Sequence, residues 1–159
     1  MPGIAVVGAG LSGLVVARQL REVADVVVFE KSRGPGGRMA TRRGGDRAFD
    51  HGAQFFTVRT REFRDFLEPL FAAGAVRTWP ARFAELDRER GIARTRTWDD
   101  DHAHYVGAPG MNQVGKFLAD GVDVRCNRTV ARIQRREGHW ILSDQAGSEL
   151  GRFDWVVLA

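Results

Sequence analysis

Near the N-terminus three glycines fall at the spacing Gly8-x-Gly10-x-x-Gly13, and a carboxylate, Glu30, follows 17 residues after the last of them. Each position has a physical job if the stretch binds a dinucleotide. Gly8 permits a tight turn, Gly10 lets the main chain approach a pyrophosphate without a Cβ in the way, and Gly13 lets helix and strand pack closely. A helix opening there offers free N–H groups and partial positive charge to the phosphates. Glu30 would accept hydrogen bonds from ribose hydroxyls and disfavour a 2′-phosphate. Directly after it, "KSRGPGGRM" supplies Gly34, Gly36, Gly37 and Arg38, with Pro35 stiffening the turn. Consecutive glycines let the main chain cross close to a diphosphate, and a guanidinium binds phosphate oxygens bidentately.

These residues need particular elements to hold them. "GIAVV" reads as a strand buried on both faces, "LSGLVVARQLREV" as a helix with Leu14, Ala17 and Leu20 on one side, and "DVVVFE" as a second buried strand. Together they predict a βαβ unit. In "TREFRDFLEPLFAAG", Phe63, Phe66, Leu67, Leu70 and Phe71 form a helical stripe. Thr60 is placed to cap that helix and Gly74 to end it, while Pro69 is expected to kink or shorten it. From 75 to 106 bulky and polar residues alternate as in antiparallel strands, with a turn at "DRERG". "GMNQVGKFLADG" returns to helix, and "VDVRC", "TVARIQRR", "HWILSD" and "FDWVVLA" read as short strands. The pattern predicts an α/β protein with a Rossmann-like layer over 1–74 and 107–159, and an insertion over 75–106 that begins an antiparallel substrate domain. The chain stops on the apolar run Val156-Val157-Leu158-Ala159, so the architecture is expected to continue into a longer two-domain form.

Composition narrows the classes. The 159 residues carry 43% hydrophobic and 28% charged side chains, a globular balance. Net charge is only +4 from 24 basic and 20 acidic residues, and the only lysines are Lys31 and Lys116. The arginines are scattered, which argues against a nucleic-acid surface. The single cysteine, Cys126, excludes an internal disulfide and fits a reducing compartment. No run has the apolar length of a membrane span. A cytoplasmic protein with a small-molecule partner, no nucleic acid and no membrane is expected.

At "GPGGRM" the chain resembles the FAD-dependent flavin amine oxidase superfamily, which pairs the first glycine motif and its ribose acid with a "GGR" segment. "FDHGAQFFT" resembles the stretch passing beside the flavin ring, and "GAQ" before an aromatic is particular to the renalase-like branch. "YVGAPGMNQVGKFLADGVDVRCNRTVARI" is similar to the same branch, and "FDWVVLA" to a strand leading towards later flavin contacts. The match spans essentially all 159 residues but only the front part of the family's length. The resemblance implies FAD as cofactor. It implies a binding set of Gly8, Ala9, Gly10, Leu11, Ser12, Gly13, Glu30, Lys31, Arg33, Gly36, Gly37, Arg38, Met39, Gly52, Ala53, Gln54, Phe55 and Val130. Gly36, Gly37 and Arg38 would hold the diphosphate, Gly52 and Ala53 would approach the ring, and Val130 would meet the adenine through its backbone. The implied reaction is hydride transfer to flavin from a carbon beside nitrogen, on a small amine or a dihydronicotinamide, with reoxidation by dioxygen. A catalytically incomplete dinucleotide-binding module is the alternative.

No catalytic side chain and no metal site is expected. His102 and His104 near Asp99, Asp100 and Asp101 read as a solvated loop before a metal site. His51 beside Asp50 is either a positioning or exposed residue or a general base. Trp79, Trp98 and Tyr105 are either core or the lining of a substrate cavity. Solvent exposure is expected for Arg42 and Arg43.

Overall fold

The computed structural model describes residues 1–97 and 103–159. Four parallel strands make its centre: β1 (Gly3–Val7), β2 (Asp25–Phe29), β10 (Asp123–Arg125) and β14 (Trp155–Leu158), in the order β10-β2-β1-β14. Helix α1 (Leu11–Leu20) connects β1 to β2. Alternation along the strands sends side chains to two cores. Ile4, Val6 and Val28 join Leu14 and Ala17 of α1 in one, while Ala5 and Phe29 enter the other. The first core is completed by α3 (Asn112–Ala119), through Val114 and Leu118. The second is covered by an antiparallel sheet of β11 (Arg132–Arg136), β12 (His139–Ser143) and β13 (Glu149–Phe153), through Leu142 and Phe153. The molecule is therefore an α/β protein with a Rossmann-like parallel sheet and smaller antiparallel sheets around it.

A further antiparallel sheet joins β5 (Phe56–Thr57), β9 (His104–Gly107) and β6 (Val76–Thr78), in the order β5-β9-β6. Helix α2 (Arg61–Ala72) packs Leu67 and Leu70 into the first core, with Phe63, Phe66 and Phe71 beside them. Thr60 Oγ1 accepts from the Phe63 N–H at 3.2 Å, and Gly74, at φ 67°, ends the helix. Pro69 neither stops nor shortens it, because the helix runs on to Ala72. An interior proline costs about 3 kcal/mol, whereas burying two leucines returns roughly 1.5–3 kcal/mol each, so packing outweighs the break.

Other expectations shift. "FDWVVLA" is not one strand: Asp154 separates β13 from β14, and its backbone N–H donates to the Gly3 carbonyl at 2.8 Å. The break lets Phe153 serve the second core before the chain crosses to the parallel sheet. There β14 is an edge strand, not a buried one, with Trp155 and Leu158 exposed. The Gly/Arg-rich loop continues into an unforeseen hairpin of β3 (Thr41–Gly44) and β4 (Arg47–Asp50), on which Arg42 and Arg43 are exposed. Within 75–106, Val76 and Tyr105 lie in the same core as α1, whereas β7 (Arg82–Asp87) and β8 (Gly91–Thr97) pair only with each other. No helix among the described residues is long and apolar enough to cross a membrane.

Candidate functional site: a cleft at the carboxyl ends of the parallel strands

β1 and β2 end side by side, and beyond their carboxyl ends opens a cleft of about 980 Å³. Ligands of open α/β sheets bind in this position, and the volume lies at the upper end for small-molecule sites. The turn after β1 forms the floor. Gly8 adopts φ 109°, and a Cβ on Gly13 would collide with the Gly8 carbonyl oxygen, so turn and helix can close up only without side chains. Gly10 is the N-cap of α1, and a Cβ there would meet nothing within 4 Å: this edge of the loop faces open space in the cleft. The N-cap Gly10 offers no side-chain acceptor to the start of α1, and uncapped N–H groups at a helix start suit an anionic group.

Glu30 stands at the end of β2 and is only 6% exposed. Its Oε2 accepts from the Ala9 N–H and its Oε1 from the Ser32 N–H, each at 2.8 Å. Burial pushes its pKa up, but the N–H groups of Ser32 and Ala9, the Ser32 hydroxyl and the Lys31 charge together hold it below the usual carboxylate value. The acid is thus ionised and already oriented, and the three donors leave about one of its four acceptor sites open towards the cleft.

The second glycine segment closes over the first. The Gly36 N–H donates to the Ala9 carbonyl at 2.8 Å, and a Cβ on Gly37 would lie 3.1 Å from Gly10 Cα. A 3-10 turn over Gly37–Met39 follows, and it brings Arg38 to the cleft wall with an exposed guanidinium that has no ion pair among the described residues. Gly52 and Ala53 complete that wall, the Ala53 N–H donating to the Arg38 carbonyl at 2.7 Å. On the far side the chain after β10 is tied down by the Arg128 N–H on the Glu30 carbonyl, at 2.9 Å, and by the Asn127 N–H on the Ser32 carbonyl, at 3.0 Å. This places Val130 in the cleft.

Of the residues named from sequence, the cleft is lined by Gly8, Gly10, Leu11, Ser12, Glu30, Lys31, Gly36, Gly37, Arg38, Met39, Gly52, Ala53 and Val130. Five do not line it. Ala9 is fully buried and acts through its N–H, Gly13 packs behind the turn, and Arg33 and Gln54 are exposed elsewhere. Phe55 turns its ring to Trp79 and His104, with centroids 5.8 and 4.9 Å away. Ser32, Arg128, Thr129 and Ala159 line the cleft without having been foreseen. Ser32 and Thr129 adjoin residues already singled out, but nothing local announces that β10 pairs with β2.

The remaining candidates separate cleanly. Asp50 is engaged by the start of α3, its oxygens accepting from the Met111 N–H at 3.1 Å, and His51 is exposed. Tyr105 is a core residue stacked on Phe56 at 5.9 Å, whereas Trp79 remains 37% exposed. Burial, followed by the nearby Glu30 charge, raises the pKa of Cys126, which disfavours its thiolate. Among the described residues no cluster of His, Cys, Asp and Glu is arranged to hold a metal ion. Trp98, Asp99, Asp100, Asp101 and His102 lie outside the described residues.

A parallel sheet with a glycine turn, a buried acid after β2 and a helix N-terminus around one cleft is the arrangement of Rossmann-like dinucleotide-binding folds. Comparison agrees: residues 6–70 match the NAD(P)-binding Rossmann-like domain family. The chain is similar to renalase along nearly its whole length and, over a shorter stretch, to a lysine-specific histone demethylase 1 homologue. It is 26% identical to Mus musculus renalase over 170 aligned residues, covering 99% of this chain and 46% of renalase. Over 48 residues it is 54% identical to the Arabidopsis thaliana lysine-specific histone demethylase 1 homolog 1, covering 28% of this chain and 6% of that protein. Among solved structures, the tetracycline destructase Tet(51) superposes with a TM-score of 0.73 at 18% identity, over 100% of this chain and 38% of the other. The chain therefore spans less than half the length of these relatives.

Proposed function

We propose that the cleft binds FAD and that the chain is the cofactor-binding part of a renalase-like oxidoreductase. When bound, FAD supplies the hydride acceptor for a small amine or dihydronicotinamide substrate, and dioxygen the means of reoxidation. The protein's own task is to hold, orient and exclude water. Glu30 receives the adenosine ribose, Val130 meets the adenine through its backbone, and Gly10, Gly37 and Arg38 with the start of α1 receive the diphosphate. Gly52 and Ala53 admit the flavin ring at the other end, and 75–106 contributes to the substrate side. The observation that carries the reading is the convergence of Glu30, the two glycine loops and Arg38 on one cleft. A bare nicotinamide site has no need of the second loop.

Purified protein, with FAD added if necessary, is expected to show flavin absorbance that bleaches anaerobically with candidate amines or dihydronicotinamides. A protein that takes up no FAD would overturn the reading. The second reading is a dinucleotide-binding module without turnover. It predicts FAD uptake without bleaching by any substrate.

A further inference from the structure

The wall of the cleft that carries Arg38 is built from two segments, Gly36–Met39 and Gly52–Ala53, which meet at the base of the β3–β4 hairpin. Their contact is tight: the Ala53 N–H bonds the Arg38 carbonyl at 2.7 Å, and a Cβ on Gly52 would collide with the same oxygen. The rest of the hairpin supplies little packing, since the residues from Arg42 to Phe49 are exposed. What anchors the base lies outside the cleft. Thr41 and Asp50 are cross-strand partners, and both side chains turn to the start of α3. The Thr41 hydroxyl donates to Asp50 Oδ1 and accepts from the Asn112 N–H at 3.2 Å. The Met111 N–H donates to Asp50 Oδ1 and Oδ2, at 3.1 Å each. A carboxylate against the free N–H groups of a helix start gains from both the hydrogen bonds and the partial positive charge. The same helix touches the wall a second time, because a Cβ on Gly115 would lie 2.7 Å from Gly36 Cα.

We propose that Asp50, together with Thr41, is a positioning residue of the cleft: by clamping the hairpin base to α3 it sets the spacing between the Gly36–Met39 and Gly52–Ala53 segments. Neither residue lines the cleft, so each acts through the backbone it holds. The inference rests on the FAD reading only where cofactor affinity is measured.

The test uses the full chain with Asp50→Asn, Thr41→Val and Thr41→Ser. Amide hydrogen exchange is followed without cofactor, and FAD affinity by quenching of flavin fluorescence. In Asp50→Asn and Thr41→Val, the amides of Met39, Ala40 and Ala53 are expected to exchange roughly tenfold faster, the factor one charge-assisted hydrogen bond commands, while β1 and α1 keep their protection. FAD should bind about three- to tenfold more weakly, with altered visible circular dichroism, and Thr41→Ser should restore both. A lower melting temperature with unchanged Ala53 exchange and unchanged FAD affinity would overturn the inference, leaving Asp50 a helix cap only. If the wild type takes up no FAD yet exchange changes as described, the FAD reading fails and the positioning role stands. Should Asp50→Asn not fold, the near-isosteric Thr41→Val decides the matter by the same two readouts.

Discussion

The cleft and the β7–β8 hairpin are both largely loop-and-strand structures near the surface, yet they are held in opposite ways. Around the cleft almost every constraint is a main-chain hydrogen bond or a close backbone approach between segments remote in sequence, such as Gly36 on Ala9 and Arg128 on Glu30. The hairpin pairs only with itself. Its turn is closed by Asp87 Oδ1 accepting from the Glu89 and Arg90 N–H groups at 2.9 and 2.8 Å, and Leu86 and Ile92 are 78% and 64% exposed. Substitution should therefore be punished in the cleft by backbone displacement and tolerated in the hairpin.

The hardest strike on this contrast is Gly13→Val. Its Cβ would enter the Gly8 carbonyl, so a stability loss of roughly 3 kcal/mol is expected by denaturant titration, with FAD uptake abolished. Next comes Glu30→Gln, which exchanges an ionised acceptor of two N–H bonds for a neutral one; a loss of about 1.5–3 kcal/mol is expected. The sign with pH follows from its lowered pKa. The carboxylate's stabilisation is complete above its unfolded pKa of about 4.3 and disappears as pH falls through the lower folded value. Urea midpoints between about pH 6 and pH 3 should fall more steeply in the wild type than in Glu30→Gln; parallel curves would remove Glu30 from the ledger.

Arg38→Ala should separate binding from stability. Its side chain is exposed and without an ion pair among the described residues, so stability should move by at most about 0.5 kcal/mol while FAD affinity falls roughly tenfold. Unchanged affinity would show that the diphosphate does not lie on Arg38. The smallest effect belongs to the hairpin: Leu86→Thr with Ile92→Thr should shift the melting temperature by no more than about 2 °C and leave FAD affinity alone. A large loss there would mean that the hairpin is covered after all, and the contrast would collapse.

Local sequence carried much of this arrangement. The first βαβ unit, the cap at Thr60 and the stop at Gly74 were legible because each is written within one turn or one strand of the chain. Pro69 did not shorten α2, because tertiary burial of Leu67 and Leu70 exceeds a local propensity. "FDWVVLA" misled because periodicity does not reveal that Phe153 and Val157 serve different cores on opposite faces of the sheet. Most of the candidate cleft residues could be named in advance, but Phe55 leaves for an aromatic cluster and Arg128 arrives from the chain after β10. Asp50 stood out in the sequence only as the neighbour of His51, and its hydrogen bonds to the start of α3 appear only in the tertiary structure.

What the sequence alone determined is the chemistry of the cradle: where side chains must be absent, where an acid must end a strand and where a guanidinium must follow glycines. These are local requirements, met by residue type and short spacing. Tertiary structure alone decided which distant segments close around that cradle. Pairing of β10 with β2, the contact of Gly115 with Gly36 and the capping of α3 by Asp50 join residues tens of positions apart. Such contacts depend on burying a shared core, and no local pattern encodes them.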